Sequence, residues 1–208
     1  MKGDSARIKK LLIKAYNKGA AEYGLKRNKR FDLFLNQEMD HFIESVGKVG
    51  RKIIDLGSGP GNESLYFKNK GLEPVCVDIS PAMIKQCRSK DLEAYVMDFC
   101  NLKFPDKSFA GVWMSFSLIH TPKAEALAVI KEVSRVILNR GVLYLSLFEG
   151  SGEGLSELGL ERYGSKRYFA YYSQNELANL LKDDFEIIKS SRLDMSPKPT
   201  ISFECLKL

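Results

Sequence analysis

An open parallel α/β sheet with helices on both faces is the fold class this sequence predicts. Three observations predict it. Between residues 51 and 148, short apolar runs of strand length alternate with segments of helical period. The first of these runs opens through closely spaced glycines into a helix, Asp55-Leu56-Gly57-Ser58-Gly59-Pro60-Gly61. The chain has 208 residues, 44% hydrophobic and 28% charged, enough for one sizeable core and ordinary for a globular protein.

Two helices precede the alternating region. Ile8, Leu11, Leu12, Ala15 and Tyr16 recur at helical spacing within 5–23, with lysines between them. A second helix, 31–46, lines Phe34, Leu35, Met39, Phe42, Ile43 and Val46 along one face and ends at Gly47 and Gly50. The period then changes. Residues 51–56, 74–78, 94–98, 109–114 and 142–147 read as five buried strands. Between them lie helices at 62–70, from Pro81 onward, and at 122–137. Ser80 supplies an N-cap and Pro81 sits at the first helical position, where its missing N–H costs nothing. Right-handed crossovers place the strand C-termini along one edge, where ligands of such sheets bind. Residues 149–168, rich in Gly, Ser and charge, read as a long loop on the acceptor side. A capping box, Ser173 to Glu176, opens a helix over 174–182, and 185–188 and 201–206 read as final strands around Pro197 and Pro199. The expected organisation is one domain over 1–208: a helical arm in 1–46, a core in 51–148 and a C-terminal part in 149–208.

Charge is uneven. Net charge is +6, yet residues 1–30 hold ten Lys or Arg against two acids, a net +8, and the remaining 178 residues are net −2. Such an arm suits an anionic substrate or nucleic acid; it equally describes a solvated helix face. No stretch approaches the ~20 apolar residues of a membrane span, and no apolar signal core follows Met1, so the expectation is a cytosolic protein without membrane attachment. Cys76, Cys87, Cys100 and Cys205 are scattered and the only histidines are His41 and His120, a pattern that predicts reduced thiols and no metal site.

The glycine loop decides the ligand class. A dinucleotide fingerprint spaces its glycines as Gly-x-Gly-x-x-Gly around a pyrophosphate. Here Gly61 comes one residue early, Asn62 takes the dinucleotide position, and Asp55 and Glu63 flank the turn. Carboxylates repel a pyrophosphate and suit a cationic ligand, the ammonium and sulfonium of S-adenosylmethionine. Asp78 ends the second strand 23 residues after Asp55, placed to accept ribose hydroxyls; the same residue type also serves nicotinamide cofactors or caps a helix. Asp98, ending the third strand, suits the adenine amino group, with the Phe99 N–H on a ring nitrogen; a turn aspartate is its simpler role. Ile79 and Met83 are positioned to cover adenine.

With these residues in view, the sequence resembles the class I S-adenosylmethionine-dependent methyltransferases, within the group that includes ubiquinone and menaquinone methyltransferases. The resemblance covers about 51–148. It runs through Ile54–Gly61, Val77–Met83, Asp98, Leu102–Phe109, Ser115–His120 and Leu138–Gly141. It implies a Rossmann-like, doubly wound sheet of seven strands with the last antiparallel. It implies cofactor contacts from Gly57, Gly59, Asp78 and Asp98, to which Ser58, Gly61 and Ser115 of the same motifs are added. It also implies a lid near Tyr16 and Tyr23. Ala110 and Val142 depart from the group's usual acidic residue and second glycine.

The expected reaction is in-line methyl transfer, in which the protein aligns acceptor and methyl group and excludes water. His120 is the one candidate base, and a structural or capping histidine is the alternative. Tyr171 and Tyr172 are candidates to line the acceptor site. The expected acceptor is a small organic molecule. An RNA-modifying methyltransferase is the alternative, since Arg167–Tyr172 resembles the aromatic segment of wobble-uridine tRNA methyltransferases; a cofactor-binding regulator without turnover is the third reading.

Overall fold

The computed structural model describes residues 2–22, 29–194 and 198–208. Its centre is a seven-stranded sheet in the order β3-β2-β1-β4-β5-β9-β8. The strands are β1 (Lys52–Leu56), β2 (Glu73–Asp78), β3 (Glu93–Val96), β4 (Phe109–Ser115), β5 (Ile137–Phe148), β8 (Phe185–Leu193) and β9 (Thr200–Lys207). The first five pair in parallel, and β9 runs antiparallel between β5 and β8. This is the expected seven-stranded sheet with its last strand reversed.

Helices α1 (Lys2–Gly19), α2 (Lys29–Val46), α3 (Asn62–Asn69), α4 (Pro81–Ser89), α5 (Lys123–Val136) and α7 (Gln174–Leu181) accompany it. Strand alternation divides the core between the two faces. Ile54, Leu56, Val112, Met114, Leu143 and Leu145 meet the apolar stripe of α5 at Ala126, Val129, Ile130 and Val133. Ile53, Trp113, Val142 and Tyr144 point the other way, against Leu35, Met39, Phe42 and Val46 of α2 and Phe67 of α3. Trp113 stacks on Tyr144 with ring centroids 3.8 Å apart, and Phe42 and Phe67 meet the indole edge-on. The caps form as the sequence dictates. Ser80 Oγ accepts from the Met83 N–H, and both bonds of the Ser173–Glu176 capping box are present.

Two elements differ from the sequence reading. Segment 149–168 is not a plain loop. It holds β6 (Glu153–Ser156) and the one-turn α6 (Leu160–Tyr163), and leads into β7 (Arg167–Ala170), which pairs antiparallel with β6. A four-residue strand containing Gly154 is too short to show alternation. Strand β5 also starts at Ile137, ahead of Gly141. Ile137 pairs with Phe109, the register then shifts, and Arg140 takes a positive φ of 62° before regular pairing resumes at Val142.

The strand order reverses between β1 and β4. Their C-terminal ends open onto the crevice where ligands bind in sheets of this type.

Candidate active site

The glycines after β1 serve three different purposes. Gly57 has φ +76°, and a Cβ there would stand 2.4 Å from Ser117 Cβ, so the turn passes against the chain leaving β4. The Gly57 and Ser58 N–H groups donate to the Val77 carbonyl, which ties the turn to β2. Gly59 donates its N–H to Asp78 Oδ2 at 2.9 Å. Gly61, also left-handed, would drive a Cβ into Leu92 and Cys87; it lets α3 start close against α4 and the turn that follows it.

Asp78 is buried, with a second N–H, from Ser80, reaching Oδ1 at 2.8 Å. Burial pushes its carboxyl up to about 6, and the N–H groups of Ser80, Gly59 and Ile79 pull it back in part. Asp98 lies in the turn just beyond β3. Its Oδ1 accepts from the Cys100 N–H at 2.9 Å and its Oδ2 pairs with Lys9 of α1 at 2.6 Å. Partial burial raises its pKa, but these two contacts outweigh that and hold it below the usual range.

Gly57, Gly59, Asp78, Ile79, Asp98, Phe99 and Ser115 share one cavity, with Tyr16 and His120 on its opposite wall. Four expected cofactor residues are not on its lining. Asp55 is buried and its Oδ2 accepts from Ser64 Oγ of α3 at 2.6 Å. Burial raises its carboxyl well above the ordinary aspartate value, and the side chain is directed to α3 and not to the cavity lining. Alternation turns it to the sheet face opposite Ile54 and Leu56. Met83 is fully buried, Ser58 sits against Cys87, and Gly61 acts in packing.

His120 joins the wall through a one-turn 3₁₀ segment, Leu118–His120. Its Nδ1 lies 2.7 Å from the Tyr168 carbonyl, so Nδ1 carries the proton and Nε2 accepts the Tyr16 hydroxyl. Burial of the ring drops its pKa to about 3, opposed in part by the Tyr168 carbonyl. In this arrangement His120 fixes Tyr16 and has no free nitrogen for a substrate proton. Tyr16 also accepts from Arg167 Nη1 at 3.0 Å. Tyr171 and Tyr172 stand off the cavity: Tyr171 stacks on Phe169, and Tyr172 is buried beneath Lys123. Tyr23 lies outside the described residues.

Helix α1 covers the cavity. Ser5 donates to Glu125, Lys9 pairs with Asp98, Asn17 accepts from Ser80 Oγ and the Ala82 N–H, and Tyr16 meets His120. The enclosed space is about 80 Å³. Small-molecule sites run to roughly 300–1,000 Å³, so a nucleoside ligand requires α1 to move. Lys9 and Phe116, the latter at φ +53° directly after β4, are cavity residues the sequence reading did not single out. A positive φ on a non-glycine is visible only in the structure.

A family described as "Methyltransferase domain" matches residues 53–141, which contain the glycine turn, Asp78, Asp98 and Ser115. Residues 53–141 are thus similar in sequence to that methyltransferase domain family. A demethylmenaquinone methyltransferase of Renibacterium salmoninarum is 33% identical over 104 residues, which is 46% of this chain and 44% of that protein. The chain thus spans less than half the length of such curated relatives. Among solved structures, an S-adenosylmethionine-dependent methyltransferase from Methanosarcina mazei superposes with a TM-score of 0.68 at 24% identity, covering 76% of this chain and 92% of that one. The 1,6-didemethyltoxoflavin-N1-methyltransferase of Burkholderia thailandensis, solved with S-adenosylhomocysteine, gives 0.62 at 17% identity, covering 90% and 86%. These likenesses establish the fold alone. Among the described residues no helix is long and apolar enough to cross a membrane.

Proposed function

We propose that the protein binds S-adenosylmethionine and transfers its methyl group to a small organic acceptor. The observation that carries this is Asp78, a buried carboxylate at the end of β2 that faces the cavity while two backbone N–H groups hold it in place. A carboxylate so held keeps acceptor capacity for vicinal hydroxyls and is costly to bury without a partner. Gly57 and Gly59 of the turn line the same cavity.

Asp78 would take the ribose hydroxyls, Asp98 the adenine amino group and the Phe99 N–H a ring nitrogen, with Ile79 against one face. Asp98 must first release Lys9. When bound, S-adenosylmethionine supplies a methyl group on a sulfonium, already activated for displacement. The remaining task is alignment and exclusion of water, which α1 performs on closing. Tyr16, oriented by His120, forms the wall on the acceptor side.

Calorimetric titration with S-adenosylmethionine, S-adenosylhomocysteine and NAD tests this. The expectation is micromolar binding of the two sulfur ligands, none of NAD, and a loss of about 2–4 kcal/mol for Asp78→Ala. Binding of NAD in place of the sulfur ligands would overturn the reading.

A further inference from the structure

Arg167 is more than nine-tenths buried, and no carboxylate pairs with it among the described residues. Two of its five N–H donors are engaged: Nη1 on the Tyr16 hydroxyl and Nη2 on the Leu158 carbonyl at 2.7 Å. Nε is buried without a partner. Three rings surround the guanidinium, Tyr163 at 3.9 Å, Phe169 at 5.0 Å and Tyr16 at 5.5 Å. Gly159 brings backbone against it, since a Cβ there would lie 3.0 Å from Nη2. Ring faces return to a desolvated cation only part of what its desolvation costs. The cage is therefore built around a charge that it does not neutralise.

Its position gives that charge a use. Arg167 lines a second cavity, of about 1,090 Å³, together with Tyr163, Leu158 and Gly159. Tyr16 lines the cofactor-side cavity and bonds directly to Arg167, so the Arg167–Tyr16 pair forms the partition between the two spaces. The other charges of the second cavity are Glu22, Glu157, Glu161 and Arg162. The three acids are exposed, and Glu157 is paired with Lys166 at 2.8 Å.

Resting on the methyltransferase reading, we propose that the acceptor is an aromatic or similarly flat molecule bearing a carboxylate, which Arg167 holds at this partition. A planar guanidinium with free donors matches a carboxylate in charge and in fork geometry, and the ring of Tyr163 in the cavity lining suits a flat apolar body.

The test uses benzoate and benzamide, equal in shape and different in charge, titrated calorimetrically into the protein with and without S-adenosylhomocysteine. The expected result is millimolar binding of benzoate and at least about tenfold weaker binding of benzamide. Arg167→Gln should abolish the preference. Arg167→Lys, which keeps the charge and loses the fork, should retain part of it and guards against misreading a folding defect. Both variants should bind S-adenosylhomocysteine within about threefold of the parent, since Arg167 does not line that cavity. Equal binding of the two probes, binding of neither, or an unchanged preference in Arg167→Gln overturns the proposal. Loss of S-adenosylhomocysteine binding by the parent protein, with the benzoate preference intact, would instead overturn the cofactor reading and with it the acceptor role, leaving only a carboxylate site at Arg167.

Discussion

The two halves of the site are built by different means. On the cofactor side, between β1 and β4, the working contacts are made by backbone and are short in sequence. Gly59 reaches Asp78 across 19 residues and Ser80 reaches it across two. On the acceptor side they are made between side chains and are long. Tyr16 meets His120 across 104 residues and Arg167 across 151. A site made of turns and strand ends is rigid because the sheet is rigid. A site made by a helix leaning on an insertion has the freedom to open, and the cofactor-side cavity needs that opening to admit a ligand. Substitutions should therefore act differently in the two halves.

The largest contrast uses two glycines with nearly the same backbone. Gly57 and Gly152 have φ of +76° and +77°, but a Cβ at Gly57 would meet Ser117 while one at Gly152 meets nothing within 4 Å. Gly152→Ala should cost about 1 kcal/mol, the strain of the left-handed conformation alone. Gly57→Ala adds a clash with the Ser117 Cβ and should cost about 3 kcal/mol and weaken S-adenosylhomocysteine binding more than about 100-fold. Urea denaturation of both variants measures the difference. Equal costs would show that the close approach at Gly57 carries no weight.

The titrating groups of the two halves oppose each other. His120 has a folded pKa of about 3 against an ordinary 6.5, so the unfolded chain binds the extra proton between these values. Stability on its account is full above about 6.5 and is lost as pH falls toward 3. His120→Gln should remove that loss, worth about 2 kcal/mol at pH 4 after discounting for the residue's partial exposure. Denaturation of parent and variant at pH 7 and pH 4 checks it, and parallel losses in both would exclude His120 as the source. Asp78 runs the other way. Its folded pKa is about 6 against an ordinary 3.8, so the folded ligand-free protein holds the proton more tightly and loses stability as pH rises from about 4 through 6. The form that accepts ribose hydroxyls is the ionised one. Affinity for S-adenosylhomocysteine should thus fall about tenfold between pH 7 and pH 5. A flat profile over that range would mean that Asp78 is already ionised at pH 5 or does not hold the ligand.

How much of this was legible in the sequence follows the same division. Gly57, Gly59, Asp78 and Asp98 were legible because a strand, a turn and a helix follow one another in the chain, and the residues a tight turn needs are few. Asp55 is equally local, yet it does not line the cavity. Position along β1 is readable, but which face Asp55 takes depends on Ser64 of α3 being there to receive it. Arg167 stood in a segment singled out for its aromatics, yet nothing local shows that Tyr16 and Tyr163 converge on it. The β6–β7 ribbon escaped because its strands are four residues each and one carries Gly154. Lys9 escaped because it is one lysine among several on α1, and only the tertiary structure sets it against Asp98.

Lys9 gives the smallest effect, and its sign separates two views of α1. The Lys9–Asp98 pair is about one-third exposed on each side, so as a stabilising contact it is worth about 0.5 kcal/mol or less. As a competitor it matters more, because it occupies the Asp98 oxygen assigned to the adenine amino group and holds α1 over the cavity. Lys9→Met keeps the apolar stem along the helix and removes only the charge. If the pair acts as a tie on the closed helix, the variant should bind S-adenosylhomocysteine about two- to threefold more tightly while unfolding slightly more easily. Raising salt from about 50 to 500 mM should move the parent protein in the same direction and leave the variant unmoved, because the ion pair is exposed enough to be screened. If Lys9→Met binds more weakly, Lys9 belongs to the ligand-bound state, and α1 is part of the cofactor site itself, no longer only its cover.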